Sequence, residues 1–138
     1  MKEAWCKKIS LLLFVLVMLL AGCQENSTNT SKVRDLDFTV VKESDLPIEL
    51  RTAIEEKKEN GFKLTFAQED YLYIVIGYGE QSTGGYSIVV NDLYLTQNAI
   101  LFDTELFGPK TGEVVEESPS YPYIVVKIEY MDKSVIFD

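Results

Sequence analysis

The chain of 138 residues contains no histidine and only two cysteines, Cys6 and Cys23. Without histidine, neither a Ser-His-Asp triad nor a Cys-His pair can form, and the imidazole ligands that zinc sites commonly use are missing. The sequence therefore excludes the commonest hydrolase mechanisms and offers no familiar zinc site.

Basic residues are also scarce. Thirteen lysines and arginines stand against 22 aspartates and glutamates, which gives a net charge of −9. So acidic a surface repels the phosphates of nucleic acids and anionic lipid headgroups. We therefore expect no nucleic-acid partner. The acidity either favours a basic protein partner or serves solubility alone, and composition leaves both interpretations open.

The sequence has no apolar run long enough for a good membrane span. Its longest run, residues 9–20, contains Ser10 and is shorter than the roughly 20 residues that a spanning helix needs. Three lysines precede this run. A basic start followed by a short apolar core is typical of a signal peptide, which we predict over residues 1–22.

The apolar core is followed at once by Leu20, Ala21, Gly22 and Cys23. An apolar residue and two small residues before a cysteine resemble the lipobox of bacterial lipoproteins, whose cysteine thiol receives diacylglycerol. We therefore predict Cys23 as the lipidation site, with the three preceding residues as the signal-recognition sequence. Burial of the lipid chains, worth about 0.8 kcal/mol per methylene, would anchor the protein to the cell membrane on its extracytoplasmic side.

These predictions divide the chain into a signal peptide, a tether and one domain. With Cys6 removed and Cys23 lipidated, no disulfide can form within the chain, so packing must supply the stability. Residues 23–34 comprise the lipidated cysteine and a polar stretch that reads as a flexible tether. Residues 35–138 are long enough for a single small domain.

One amphipathic helix is predicted at the start of this domain. It begins near Pro47 after Ser44 or Asp45 as a cap, and Gly61 is a candidate stop signal. Its apolar residues at helical spacing are Leu46, Leu50, Ala53 and Ile54.

Everything after Gly61 reads as strand and turn. Residues 62–66 alternate between apolar and polar, whereas residues 71–78 are continuously apolar, as a strand covered on both faces would be. Further strands are predicted at residues 86–90, 93–96, 99–106, 123–130 and 135–137. The predicted fold class is mainly β (α+β): one N-terminal helix followed by an antiparallel sheet that is curled or sandwich-like.

The acidic residues do not predict an active site. Neighbours in a strand point to opposite faces, so adjacent carboxylates such as Glu69-Asp70 or Glu116-Glu117 do not converge. Asp103 and Glu105 read as part of a solvated acidic face, no calcium-binding loop is recognisable, and no lysine is marked as partner of a serine. We predict that the protein is not an enzyme and uses no metal, cofactor or small-molecule substrate.

Two segments stand out as a candidate partner-binding surface. The first, residues 77–86, has two adjacent glycines between strong strands, which implies unusual backbone angles or a close contact. The second, residues 118–123, combines prolines with aromatic residues. Tyrosine suits protein recognition, although the same tyrosines could simply fill the core. The candidate residues are Glu80, Thr83, Gly84, Gly85, Tyr86, Tyr121 and Tyr123.

These segments also carry a family likeness. The Gly-Glu-x-x-Thr-Gly-Gly-Tyr-Ser-Ile pattern of residues 79–88, with Tyr121-Pro122-Tyr123 later in the chain, resembles the C-terminal domain of PrcB-type protease-complex subunits. The likeness covers residues 62–138 approximately. It implies a non-proteolytic lipoprotein subunit that binds or stabilises a surface or exported protease.

A second likeness gives the alternative. Residues 82–86, Ser-Thr-Gly-Gly-Tyr, are similar to the Thr-Thr-Gly-Tyr/Phe loop of chagasin-type cysteine-protease inhibitors, which are immunoglobulin-like sandwiches. The chain departs from that pattern by an extra glycine and lacks the Asn-Pro and Arg-Pro-Trp elements. A membrane-anchored, partner-binding subunit is the principal prediction, and a protease inhibitor or a structural envelope lipoprotein is the alternative.

Overall fold

The structure, a computed structural model, describes residues 30–138. The predicted signal peptide and Cys23 lie outside the described residues. The elements are β1 Arg34–Asp35, β2 Thr39–Val40, a 3-10 turn Glu43–Asp45, α1 Ile48–Lys57, β3 Gly61–Gln68, β4 Tyr71–Tyr78, β5 Ser87–Leu95, β6 Ala99–Phe107, β7 Tyr123–Glu129 and β8 Ser134–Phe137.

The strands form two four-stranded sheets that pack as a sandwich. Sheet A has the order β1-β5-β6-β8 and sheet B the order β2-β7-β4-β3. The prediction of a mainly β, sandwich-like fold is confirmed. The expected antiparallel pairing holds for every pair except β6 and β8, which are parallel. They are parallel because the chain crosses from β7 in sheet B to β8 in sheet A, and β8 starts at the same end of the sheet as β6.

Strand β4 is buried on both faces, as its continuous apolar sequence predicts. Ile74 faces the core between the sheets, where it packs with Ile100 and Phe102 of β6. Val75 faces the opposite side and belongs to a second core beneath α1. Strand β4 therefore carries both cores.

The helix covers the outer face of sheet B. Leu50 and Ile54 are fully buried there, with Leu46 just before the helix. The predicted cap was wrong, because Ser44 and Asp45 lie in the 3-10 turn and the residue at the N-cap, Pro47, has no side chain that can accept a hydrogen bond. The helix ends at Lys57 rather than at Gly61, which is instead the first residue of β3.

The segment that precedes the helix joins the two sheets. The Val33 N–H donates to the Leu95 carbonyl at 2.7 Å, and Arg34 pairs with Leu95 in sheet A. The last residues assigned to the polar tether thus belong to the sandwich. Main-chain hydrogen bonds hold them, and these need no apolar side chain that composition could reveal.

One further difference concerns β5. The sequence predicted two strands, over residues 86–90 and 93–96, whereas the structure has one strand with a β-bulge between Val90 and Asp92. The bulge lets both Val90 and Leu93 contact the core, and its extra residue, Asn91, interrupts the apolar alternation.

Candidate functional site

Two loops cross between the sheets at the same end of the sandwich. Residues 79–86 connect β4 of sheet B to β5 of sheet A, and residues 108–122 connect β6 of sheet A to β7 of sheet B. We call these two segments together the loop unit. The unit contains Tyr121 and most of the predicted partner-binding residues, and Tyr123 follows it as the first residue of β7.

Hydrogen bonds join the two loops to each other. Gln81 and Ser120 exchange main-chain hydrogen bonds at 2.8 and 3.0 Å, and the Gly84 N–H donates to the Glu116 carbonyl at 2.9 Å. The Ser120 hydroxyl donates to the carbonyl of Thr83 at 2.6 Å. Since both loops use their own polar groups to hold one another, the loop unit is a preformed surface.

The paired glycines have different roles within this unit. Gly85 has a φ of +85°, and a Cβ built there would lie 2.5 Å from Val115 Cγ1 and 3.1 Å from Pro109 Cβ. The expectation of a positive φ at Gly84 or Gly85 is confirmed at Gly85. A Cβ at Gly84 would make an ordinary contact with Glu116. Gly85 is therefore the residue whose side-chain absence lets the second loop pack against the first.

The sequence interpretation missed a third glycine, Gly79, which lets the loop unit pack against the turn between α1 and β3. Gly79 has a φ of +78°, and a Cβ there would lie 2.9 Å from the Gly61 nitrogen. Next to it, the Glu80 N–H donates to the Glu59 carbonyl at 3.1 Å. The signal was present in the Gly77-Tyr78-Gly79 spacing, but the contact with residues 59–61 depends on tertiary structure.

Tyr121 lies between two opposite charges. Its hydroxyl donates to Glu80 Oε1 at 3.4 Å, and Lys58 Nζ lies 5.3 Å from the centre of its ring. The negative charge of Glu80 raises the pKa of Tyr121, with burial as a further cause. The hydrogen bond of Lys58 to Glu55 raises the pKa of the lysine. The sequence interpretation did not single out Lys58, because its contact with Tyr121 depends on the tertiary structure.

The three predicted tyrosines do not form one cluster. Tyr86 lies against Gly108 at the end of β6, whereas Tyr123 packs on the helix side of sheet B with the core beneath α1. All three are half-buried. Each therefore packs against the domain and keeps part of its ring at the surface.

Exposed apolar side chains add to this end of the molecule. Val114 is 97% exposed, and Phe107, which ends β6 beside the loop unit, is 46% exposed. Val115, which follows Val114 in the chain, is half-buried and packs against Gly85. The sequence interpretation passed over Val114 because it lies in an acidic segment outside the predicted strands.

The acidic side chains of the described residues do not converge on a metal-binding site. Within residues 30–138, no group of three acidic or cysteine side chains is placed to hold a metal ion. Asp103 and Glu105 belong to β6, away from Glu80 in the loop unit. A groove of about 390 Å³ beside the unit is lined by six residues, of which only Lys63 is charged at neutral pH. No helix formed by these residues is long and apolar enough to cross a membrane.

The protein is a two-sheet β-sandwich domain, and the two hydrogen-bonded loops of the loop unit form its most distinctive surface. Residues 72–129 match the family model described as PrcB C-terminal. The predicted PrcB C-terminal type of domain is thus confirmed for these residues, which run from β4 to the end of β7 and include the whole loop unit. No curated protein and no solved structure matches the chain.

Proposed function

We propose that this protein is a lipid-anchored, non-catalytic subunit that holds an exported protease at the membrane through its loop unit. The family match carries the proposal, because PrcB-type domains are a protease-associated, non-catalytic kind of subunit. The matched residues include both loops and the hydrogen bonds that join them. The partner, the anchor and the surface used are our inference.

The chemistry of the loop unit supports binding rather than catalysis. The chain has no histidine, and the Ser120 hydroxyl is committed to the carbonyl of Thr83. A serine whose proton is donated to a main-chain carbonyl has no general base to accept it. The remaining surface groups, which include the exposed Glu80 and Val114 and the half-buried Tyr121, are of kinds that recognise a protein surface.

The path of the chain supports a suitable orientation. Arg34 pairs with Leu95, at the end of the sandwich opposite to the loop unit. Strand β5 between the two ends has nine residues, which corresponds to roughly 30 Å. With Cys23 as the anchor, the chain would enter the domain at the end opposite to the loop unit, which leaves the loops free for a partner. A polar tether raises local concentration without fixing orientation, which suits a positioning subunit.

Site-specific photo-crosslinking in the native host tests the proposal. A photoreactive amino acid is placed at Glu80 or at Val114 in the loop unit, and as matched controls at Glu69 or at Tyr130, both exposed, near the opposite end. We expect an exported protease to crosslink from the loop positions and not from the controls. Crosslinks to the same proteins from all four positions, or to none, would contradict the proposal.

The activity of the captured protease separates the two protease-binding functions. A protease that cleaves a peptide substrate while crosslinked supports the subunit function. A protease that is silenced supports the chagasin-like inhibitor. A structural envelope lipoprotein, the third hypothesis, would crosslink to envelope components that are not proteases.

A further inference from the structure

The two sheets of the sandwich differ in what covers their outer faces. Helix α1 packs on sheet B, and the described residues place no helix on sheet A. The register of β5 with β6 puts Val89 opposite Glu105, Asp92 opposite Asp103, and Ser87 opposite Phe107. These side chains alternate with core residues such as Val90 and Phe102, so they point outward.

All the charged side chains that point outward from β5 and β6 are acidic. Strands β5, β6 and β8 contain no lysine or arginine. Within residues 30–138, neither Asp103 nor Glu105 takes part in a salt bridge. The bulge at Asn91 brings Asp92 directly opposite Asp103, and like charges placed opposite each other in a sheet cost stability. A cation bound at this face would relieve that repulsion.

The chain's own Lys32 shows which chemistry this face binds. Its ammonium group lies 2.9 Å from Asp35 Oδ1, 3.6 Å from Asp92 Oδ1 and 4.9 Å from the centre of the Tyr94 ring. Carboxylates and an aromatic face together are a favourable site for a lysine side chain. Lys32 pairs with Asp35 and Asp92, and Glu105 accepts a hydrogen bond from Asn91 Nδ2 at 3.5 Å. Neither Glu105 nor Asp103 is paired with a cation among the described residues.

Apolar side chains accompany these charges. Val89 is 43% exposed beside Glu105, and Phe107 is 46% exposed at the end of the same strand. Partly exposed apolar side chains beside carboxylates give a mixed surface of the kind that protein partners contact.

We propose that the outer face of sheet A, defined by Val89, Asp92, Asp103, Glu105 and Phe107, is a second docking surface for a protein that presents lysine or arginine side chains around an apolar centre. Its charge disfavours a second copy of this chain as the occupant. This surface borders the loop unit only at Phe107, and it does not depend on the function proposed above. Under this proposal, part of the net negative charge of the chain serves recognition of a basic partner and not solubility alone.

Binding of a model peptide to the detergent-solubilised full-length protein tests the inference. The probe is a fluorescein-labelled peptide of alternating lysine and valine, and an alternating glutamate and valine peptide is its matched control. Affinity is measured by fluorescence anisotropy at several salt concentrations. We expect the basic probe alone to bind, with an affinity that falls as salt rises.

Two matched double variants locate the binding. In Asp103→Asn with Glu105→Gln, we expect an affinity loss of about tenfold, because each exposed ion pair changes a binding constant by up to about fivefold. Glu49→Gln with Glu56→Gln removes the same charge from the exposed face of α1 and should leave the affinity unchanged. Circular dichroism verifies that both variants are folded.

The outcomes are decisive in both directions. An equal loss in the two double variants means that the probe senses only net charge, and no binding of either probe means that the face has no affinity for basic chains. Both results overturn the inference. Neither affects the proposed function, which is tested by crosslinks from the loop unit.

Discussion

The hydroxyl of Tyr78 lies 2.6 Å from Oγ1 of Thr104, and this hydrogen bond joins sheet B to sheet A at the base of the loop unit. Tyr78 is the last residue of β4, and Thr104 is a buried residue of β6. The two strands that lead into the two loops are thus fixed to each other just before the loops begin. The position of the loop unit depends on this pair.

Loss of this hydrogen bond should destabilise the domain. Tyr78→Phe leaves the buried Thr104 hydroxyl without its partner, which costs about 1–3 kcal/mol in the free energy of unfolding. Adding Thr104→Val to Tyr78→Phe should recover part of that loss, because the orphaned hydroxyl is removed. Urea unfolding of the two single variants and the double variant measures the coupling. Purely additive effects would show that the two hydroxyls do not interact.

Gly85 and Gly112 provide a matched comparison, because both lie in the loop unit and both have positive φ angles. Gly112→Ala meets no atom within 4 Å, so it should cost only the backbone term of about 1–2 kcal/mol. Gly85→Ala adds a clash with Val115, and overpacking costs a further 1–3 kcal/mol approximately. Thermal unfolding should rank Gly85→Ala as the less stable variant, with Val115→Ala in the same chain as a partial rescue. Equal losses would mean that the loops can separate freely.

The raised pKa of Tyr123 should lower the free energy of unfolding at alkaline pH. Burial raises the pKa of Tyr123 above its ordinary value of about 10, with the charge of Glu43 as a further cause. The unfolded chain therefore releases the phenolic proton first as pH rises, so stability is constant with respect to this group below pH 10 and falls as pH rises through the higher folded pKa.

Tyr123→Phe should flatten this alkaline decline. Denaturant unfolding between pH 8 and pH 11.5 compares the variant with the wild-type chain, and the two profiles should run parallel up to pH 9 approximately, which serves as the internal control. Profiles that stay parallel up to pH 11.5 would show that burial of this ring does not affect its ionisation.

Cys23→Ala tests the anchor. Since the thiol is the group that would carry the diacylglycerol, the variant should incorporate no labelled fatty acid in the native host and should remain uncleaved. Cys6→Ala is the matched control and should be labelled and cleaved normally. Unchanged labelling of the Cys23→Ala chain would remove the lipid anchor from the proposed function.

Periodicity in the sequence predicted the elements that bury a continuous apolar surface. Strands β3 and β4 and the helix around Leu50 and Ile54 lie where alternation and helical spacing placed them. Strands β1 and β2 could not be predicted in this way, because each has two exposed residues that are held by main-chain pairing. The parallel direction of β8 also depends on which sheet it joins, and a short apolar run carries no information about its neighbour.

The candidate site was predicted only in part, for a similar reason. Two adjacent glycines indicate unusual backbone geometry, and the structure places a positive φ at Gly85. The residues that complete the loop unit, Ser120 and Glu116, contribute through main-chain atoms and one hydroxyl across more than thirty residues of sequence. Local sequence patterns do not encode which segment a carbonyl will meet.

The short pairing of β1 with β5 also determines how the domain bears mechanical load. A pull between the N-terminal segment and a partner held at the loop unit acts along the axis of β1, on the bonds from Val33 to Leu95 and from Leu36 to Leu93. Hydrogen bonds between antiparallel strands lie perpendicular to the strands, so such a pull shears them together instead of opening them one at a time. The ion pairs of Lys32 with Asp35 and Asp92 lie on the N-terminal side of these hydrogen bonds, so the same pull also loads them. Under such tension the N-terminal segment detaches only when these bonds break together, so the pairing of β1 with β5 resists mechanical separation better than its two-residue length suggests.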